Sequence, residues 1–479
     1  MTLTQPKTRQ IARRRLTAFG LLLATLAMVG LPTAGLAGAT EATTESVSSS
    51  NVATRWVTRM LDAVRSGNPA IHTSTPGAAR TYALTTLAMY DAVNGIEWAI
   101  GGSTRDRALV ASYAAAPASG DPRAAASAAA HAVLISLFSG NSAVKDRLES
   151  AHRDELAALG PDRSVEVGRA WGASVGNQAL QLRANDGTQT SLPPEPGRSG
   201  PGMFPRSFTG AQFRDMATFG IVTPDPYRSG GPPDLTSQAY ADAFNEVKAL
   251  GSATDADPER RAIARHWQAE AGTVRETGLW FKAALNVAEE QGTVSSLSDT
   301  VRLFGLLGMG VADAVVVSWN DKFAWYYWRP GDAIRQADID GNPATEPDPT
   351  WNPRNGTCST TNLSTCGVFG GTPEHTSGTS TFAGAAATVL SHFYCSDAVG
   401  FSFVGEQPGS SPRTYSSFSQ AAREAGRSRI YGGIHFQFSN DAGRAAGKGI
   451  GQEIVRNRLL PAGAGPGSSA ICKRNPLPE

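Results

Sequence analysis

Between residues 52 and 187 apolar positions return at helical intervals. In AARTYALTTLAMYDAVNGI, Ala79, Ala83, Leu87 and Tyr90 lie 4, 4 and 3 residues apart. That spacing lays one stripe along a helix, and Asn94-Gly95 is its expected end. DPRAAASAAAHAVLISLFSG predicts an alanine-rich helix, and SAVKDRLESAHRDELAALG and SVEVGRAWGASVGNQALQLRANDG predict two more, each closed by glycine. Four such stripes predict a helical bundle.

The pattern then breaks. From Ser191 to Pro233 proline and glycine are dense, which excludes regular helix. A connection this long is either a surface excursion or part of an active-site wall. Helix returns in DPERRAIARHWQAEAG, in GLWFKAALNVAEEQG and from about Leu297 to Tyr327. Within the last, the apolar run Leu303–Trp319 contains Asp313 and several glycines, so it predicts a buried core helix rather than a membrane span. Strand signals are few and no internal repeat is obvious. The predicted fold class is mainly α, built of helical bundles. The expected organisation is 1–39 signal peptide, 40–190 N-terminal bundle, 191–250 connecting segment, 251–460 C-terminal bundle and 461–479 tail.

Composition narrows the class. With 479 residues, 41% of them hydrophobic, the chain can bury a large core and is neither disordered nor fibrous. A basic start, an apolar run from Leu16 to Leu31 and small residues at Ala37 and Ala39 predict a signal peptide ending near Ala39. Arg13-Arg14 resembles a twin-arginine signal, and a secreted or periplasmic protein is expected. Losing residues 1–39 removes five cations and no acid, so the formal charge falls from +1 to −4. A mildly acidic mature chain is no binder of nucleic acid or membrane surface by charge. Cys358, Cys366, Cys395 and Cys472, an even count in an oxidising compartment, predict two disulfides. Cys358 with Cys366 would staple CSTTNLSTC, leaving Cys395 to tie the tail through Cys472.

Three segments concentrate anion-binding groups. In DKFAWYYWRPGDAIRQ, Lys322 and Arg329 are seven apart, two helical turns, and are expected on one face before Pro330 stops the helix. In TPEHTSGTSTFAGAAATVL, Ser377 and Gly378 open a helix of small residues whose N-terminal amides can receive an anion. The same residues suit a plain N-cap by Ser377 or Thr379. In GRSRIYGGIHFQFSNDAG, Arg429 and His435 flank a Gly432-Gly433 break, where an imidazole beside a bound oxyanion could be its ligand.

Together, Lys-x6-Arg-Pro, a Ser-Gly turn starting a helix and Ser-Arg-x5-His resemble the three-part signature of the superfamily of vanadium-dependent haloperoxidases and type 2 phosphatidic acid phosphatases. The segments MYDAVNG, LQLRANDG, WRPGDAIRQADIDGNPATEPDPTW and GGIHFQF look like its bacterial secreted chloroperoxidase-like branch. The resemblance runs from about residue 52 to 458 and places the site in the C-terminal bundle. It implies that Lys322, Arg329 and Arg429 neutralise the oxygens of vanadate, or of phosphate in the same site. Ser377 and the Gly378 amide would bond those oxygens, and His435 would ligate vanadium or attack phosphorus. The implied partners are hydrogen peroxide, a halide and a small organic substrate, in a chain that could oligomerise.

This sequence departs from the family loop, which normally reads Pro-Ser-Gly-His and uses that histidine as acid–base group. Here the stretch is Thr376-Ser377-Gly378-Thr379. A threonine hydroxyl donates a hydrogen bond but does not trade protons near neutral pH, so help on the order of 10²–10⁴-fold is at stake. His375 is the nearby histidine able to substitute, although the family usually has an aromatic wall residue there; Asp321 is another proton carrier to weigh. Ser439 stands where many members place an acid four residues after the ligand histidine, and Asp441 is expected to orient the ring instead. DIDGN at 338–342 reads as a solvated turn, and His131 and His266 as packing residues. His72, His152 and His392 have no partner legible in the sequence. The expected function is an exported vanadate-dependent haloperoxidase-like oxidoreductase with reduced activity. The alternatives are a phosphatase on small phosphate esters and a non-oxidative oxyanion-binding or rearranging homologue.

Overall fold

The structure is a computed structural model, and it describes residues 50–102, 106–110, 112–188, 193–358, 366–368 and 371–460. The expected signal peptide, its twin-arginine pair and Cys472 lie outside those residues.

Six helices come first: α1 (Val52–Arg65), α2 (Ala70–Thr73), α3 (Thr75–Ala99), α4 (Pro122–Leu137), α5 (Ser142–Leu159) and α6 (Arg163–Leu182). Between α6 and α7 (Gln238–Leu250) the proline- and glycine-rich segment forms only short 3₁₀ turns among its described residues. Then follow α8 (Pro258–His266), α9 (Arg275–Glu290), α10 (Leu297–Trp325), α11 (Pro330–Arg335), α12 (Gly378–Phe393), α13 (Phe418–Tyr431) and α14 (Gln437–Asn457). The starts are written in the chain. Asn51, Asp121, Asn141, Asp162, Ser237, Asp257, Ser296 and Ser417 each accept a first-turn amide with the side chain, satisfying donors that no helical carbonyl reaches. The mainly α class is therefore what the chain adopts.

The long helices α3 and α10 form the centre. The apolar stretch of α10 is completely buried, as expected of a core helix. A Cβ added at Gly308 of α10 would stand 2.9 Å from the Ala83 Cα of α3, so small residues set that close approach. Each central helix also carries a buried aspartate that holds a loop. Asp91 accepts the amides of Ala108, Leu109 and Val110. Asp313 accepts those of Phe219, Gly220 and Ile221; burial pushes its carboxyl up to about 6 against those three bonds.

Two expectations change here. α3 does not end at Asn94-Gly95 but runs to Ala99. Gly95 is small because a Cβ there would come 2.7 Å from Trp171 of α6, so it serves packing rather than termination. Likewise α10 stops at Trp325, where Tyr326 turns left-handed at φ 50°. Pro330 is the first residue of α11, with Arg329 as its N-cap, so Lys322 and Arg329 do not share one helix.

Among the described residues strands form two hairpins, β1 (Gly356–Cys358) with β2 (Cys366–Val368) and β3 (Phe401–Val404) with β4 (Pro412–Tyr415). The strand register pairs Cys358 with Cys366.

Candidate active site

Five elements meet at a buried polar cluster: the end of α10, the cap of α11, the loop 371–377, the start of α12 and the α13–α14 turn. Lys322, 2% exposed, sends Nζ to the carbonyls of Pro373 at 2.6 Å and Glu374 at 3.0 Å. Burial and then the Arg329 charge hold its ammonium well below the usual lysine range. Arg329 donates to Thr372 O, to Ile434 O at 2.8 Å and to His435 Nε2 at 2.9 Å. Burial lowers even this guanidinium to about 10.

His435 is fixed from both sides. A guanidinium can only donate, so Nε2 accepts, and Nδ1 carries the hydrogen it shares with Glu374 Oε1 at 2.7 Å. Burial, reinforced by Arg329, Lys322 and Arg429, keeps the imidazole neutral, well below its ordinary value. Glu374 also accepts the Phe436 amide at 3.0 Å, and burial raises its carboxyl. The expected orienter, Asp441, is instead at the surface, bonded to Gln437 and Arg444. One turn into α14 its side chain points away from the ring, so Glu374 does that work. The clue to Glu374 was its place within PEHTSG, an acid beside cradle residues, but its reach to a ring 61 positions later is tertiary.

Arg429, 5% exposed, completes the charge rather than the bonding. Its charge depresses Lys322, Arg329 and His435. Yet its own contacts are long, 3.5 Å to Trp267 O and 4.0 Å to Glu276, and its Nε has no partner. Burial lowers it too, partly offset by Glu276 and Glu270.

Ser377 begins α12 without capping it by side chain; its Oγ receives the Ser380 hydroxyl at 2.8 Å. Ser377 thus holds the N-cap position but does not satisfy a first-turn amide with its side chain. Ser377 N bonds Ser439 O at 3.3 Å, which ties the cap to α14 just past His435. Gly378 leaves that turn bare, since a Cβ would meet Phe382 at 3.1 Å. Thr379 follows in the same turn and is 7% exposed. His375, 1% exposed, bonds Ser229 Oγ through Nε2 at 2.8 Å and packs on Phe438. Asp321 accepts the Ser229 amide at 3.1 Å.

Lys322, Arg329 and Arg429 thus lie buried around one neutral imidazole, with Glu374 bonded to the ring, Asp332 accepting the Arg329 amide at 3.2 Å and Glu276 4.0 Å from Arg429. Unmatched buried charge is costly, and an oxyanion would offset it. Side-chain atoms Ser318 Oγ, Thr376 Oγ1 and Arg429 Nε are buried without partners, consistent with a missing acceptor-rich group. Among the described residues no three acidic, histidine or cysteine side chains gather as a cation site. The donors gathered here are of the kind that would suit a tetrahedral oxyanion.

The other singled-out groups are structural. Asp340 of DIDGN is buried rather than solvated, holding Asn342 N at 2.8 Å and the Thr345 hydroxyl. His131 stacks on His152 at 4.3 Å, and His266 sits at 4.5 Å from Phe403 with neither ring nitrogen bonded.

Comparisons with known proteins point the same way. The family described as VCPO second helical-bundle domain matches residues 302–459, the stretch bearing every cation of the cluster and His435. A vanadium chloroperoxidase of Curvularia inaequalis is 27% identical over 204 residues, 38% of this chain. The match spans about a third of that relative's length, 32%. Among solved structures, a bacterial vanadium-dependent iodoperoxidase shares the fold at TM-score 0.67 and 22% identity, over 85% of this chain and 97% of its own. The holo form of a bacterial vanadium-dependent chloroperoxidase does so at TM-score 0.58 and 15% identity, over 79% and 91%.

Proposed function

We propose, for a chain similar in fold and second helical bundle to vanadium-dependent haloperoxidases, that the buried cluster binds vanadate and the protein oxidises halide with hydrogen peroxide. The observation that carries this reading is the surplus of buried positive charge around a neutral His435 whose Nε2 lone pair is free of a proton. Lys322, Arg329 and Arg429 would neutralise the oxygens, Ser377 and the α12 amides would hydrogen-bond them, and Glu374 would hold the ring so that Nε2 faces the metal. Vanadate, when bound, supplies a Lewis-acidic centre at which peroxide becomes reactive toward halide. The export expected from the N-terminal sequence would put this activity outside the cytoplasm, with a small organic molecule as halide acceptor.

Burial does two further things. It excludes water, so the fixed donors act at low dielectric. It also keeps His435 a ligand rather than a cation, because protonation there would add a fourth positive charge to the cluster. The test is halogenation of a phenolic dye by purified protein with vanadate and peroxide, using iodide, bromide and chloride in turn. Peroxide-dependent turnover with any halide supports the reading; hydrolysis of a nitrophenyl phosphate without peroxide would favour a phosphatase instead. Vanadate binding with neither activity would leave a non-oxidative homologue.

A further inference from the structure

Threonine at 379 leaves the cradle without the histidine that moves protons, and the structure assigns that role elsewhere. We propose that His375, held by Ser229 and Asp321, is the proton-carrying residue of this site. The inference rests on the haloperoxidase reading and adds to it a catalytic residue and two positioning residues.

The geometry is a chain of three groups from three separate segments. Asp321, on α10 beside Lys322, accepts the Ser229 amide at 3.1 Å. Ser229 places its hydroxyl 2.8 Å from His375 Nε2. The other ring nitrogen, Nδ1, is buried and has no partner, an arrangement that is unfavourable unless something supplies one. His375 lies between Glu374, which bonds His435, and Ser377, which starts the amide-lined turn. The charged and titratable groups around it are Lys322 and Asp321 of α10, Glu374 of its own loop and His435 from the α13–α14 turn; Phe438 covers it from α14. Burial first, and then the Lys322 charge, lower the His375 ring to about 3.

A serine hydroxyl both donates and accepts, so Ser229 Oγ can follow the ring through either tautomer. Nδ1 would take one proton from hydrogen peroxide and return it to the oxygen that leaves bound to the oxidised halide, while the second peroxide oxygen leaves as water with a proton drawn from solvent, so that H2O2 + X− + H+ gives HOX + H2O. The ring ends each cycle with the protons it began with. A bound polyanion would offset the Lys322 charge and raise the basicity of Nδ1 only when substrate is present. Ser229 belongs to the proline- and glycine-rich connection, so that segment is a wall of the site rather than a surface excursion.

The experiment compares wild type with His375→Gln, Ser229→Ala and Ser229→Thr. It measures vanadate affinity by calorimetry and peroxide-dependent iodide oxidation across pH, after thermal melts confirm each variant is folded. The expected result is a 10²–10³-fold lower kcat for His375→Gln, with vanadate affinity within about threefold of wild type and one limb of the pH profile lost. Ser229→Ala should fall 3–10-fold with a shifted profile that Ser229→Thr restores. A wild type that turns over while His375→Gln matches it in rate and profile overturns the relay alone. A wild type that binds vanadate and oxidises no iodide overturns the haloperoxidase reading, and the relay with it.

Discussion

Glu374 Oε1 lies 2.7 Å from His435 Nδ1 and also accepts the Phe436 amide, so one buried carboxylate sets both the tautomer of the ring and the path of the backbone leaving it. Glu374→Gln keeps the volume but offers an amide that can flip and no longer fixes Nδ1–H. Vanadate affinity is expected to fall about 10–100-fold, measured by calorimetry, while Glu374→Asp recovers part of it. An affinity unchanged in the glutamine variant would remove Glu374 from the site.

Arg429 tests the charge argument. Its guanidinium is buried with long contacts and an unpartnered Nε, so the anion-free protein gains little from it. Arg429→Met should leave the melting temperature unchanged or raise it, and weaken vanadate or phosphate binding by about 2–5 kcal/mol. Equal loss of stability and binding would mean that Arg429 is a structural residue.

Position 379 separates cradle from chemistry. Thr379→His adds an imidazole in the first turn of α12, but with His375 carrying the proton, halide oxidation is expected to stay within about threefold of wild type with vanadate affinity little changed, and a rise of about tenfold or more would show that the relay is vacant. Steady-state kinetics with bromide reads this directly; a fall in rate would show that the pocket at 379 is shaped for the hydroxyl.

Helix contact is equally checkable. A Cβ on Gly172 of α6 would stand 2.0 Å from the Ala125 carbonyl of α4, and a backbone oxygen cannot rotate aside. Gly172→Ala should destabilise by about 2 kcal/mol or more, read from chemical denaturation.

Acid stability follows from the buried histidines. Burial lowers His266 to about 4 from 6.5, so the unfolded chain takes up its proton first as pH falls. Its contribution is intact above pH 6.5 and is lost progressively down to about pH 4, amounting to about 1–3 kcal/mol. Asp313, raised to about 6, acts in the opposite sense, so the comparison must be between variants. The melting temperature of His266→Phe should fall less than that of wild type between pH 7 and pH 4.5.

The helices were legible because their stripes and caps are local: Asn51, Asp121 and Ser296 announce their helices within three residues. The Lys322, Arg329, Ser377, Arg429 and His435 set was legible from motif spacing, although the reason given for the first pair was wrong. Tyr326 breaks the helix left-handed, and tertiary folding rather than helical period brings Arg329 to the ring. Glu374, Ser229 and Gly95 carried no local sign of their roles, because each is defined by a partner 61, 146 and 76 positions away.

The cluster draws on α10, α11, α12 and the α13–α14 turn, with Lys322 and Arg329 anchored on carbonyls of Thr372, Pro373, Glu374 and Ile434. No fragment of the chain owns enough of it to hold an oxyanion, so occupancy is coupled to completed folding. A tightly held anion should therefore act as a thermodynamic clamp on the entire C-terminal half, stabilising it by about 2.7 kcal/mol at a hundredfold excess over Kd and slowing its proteolysis.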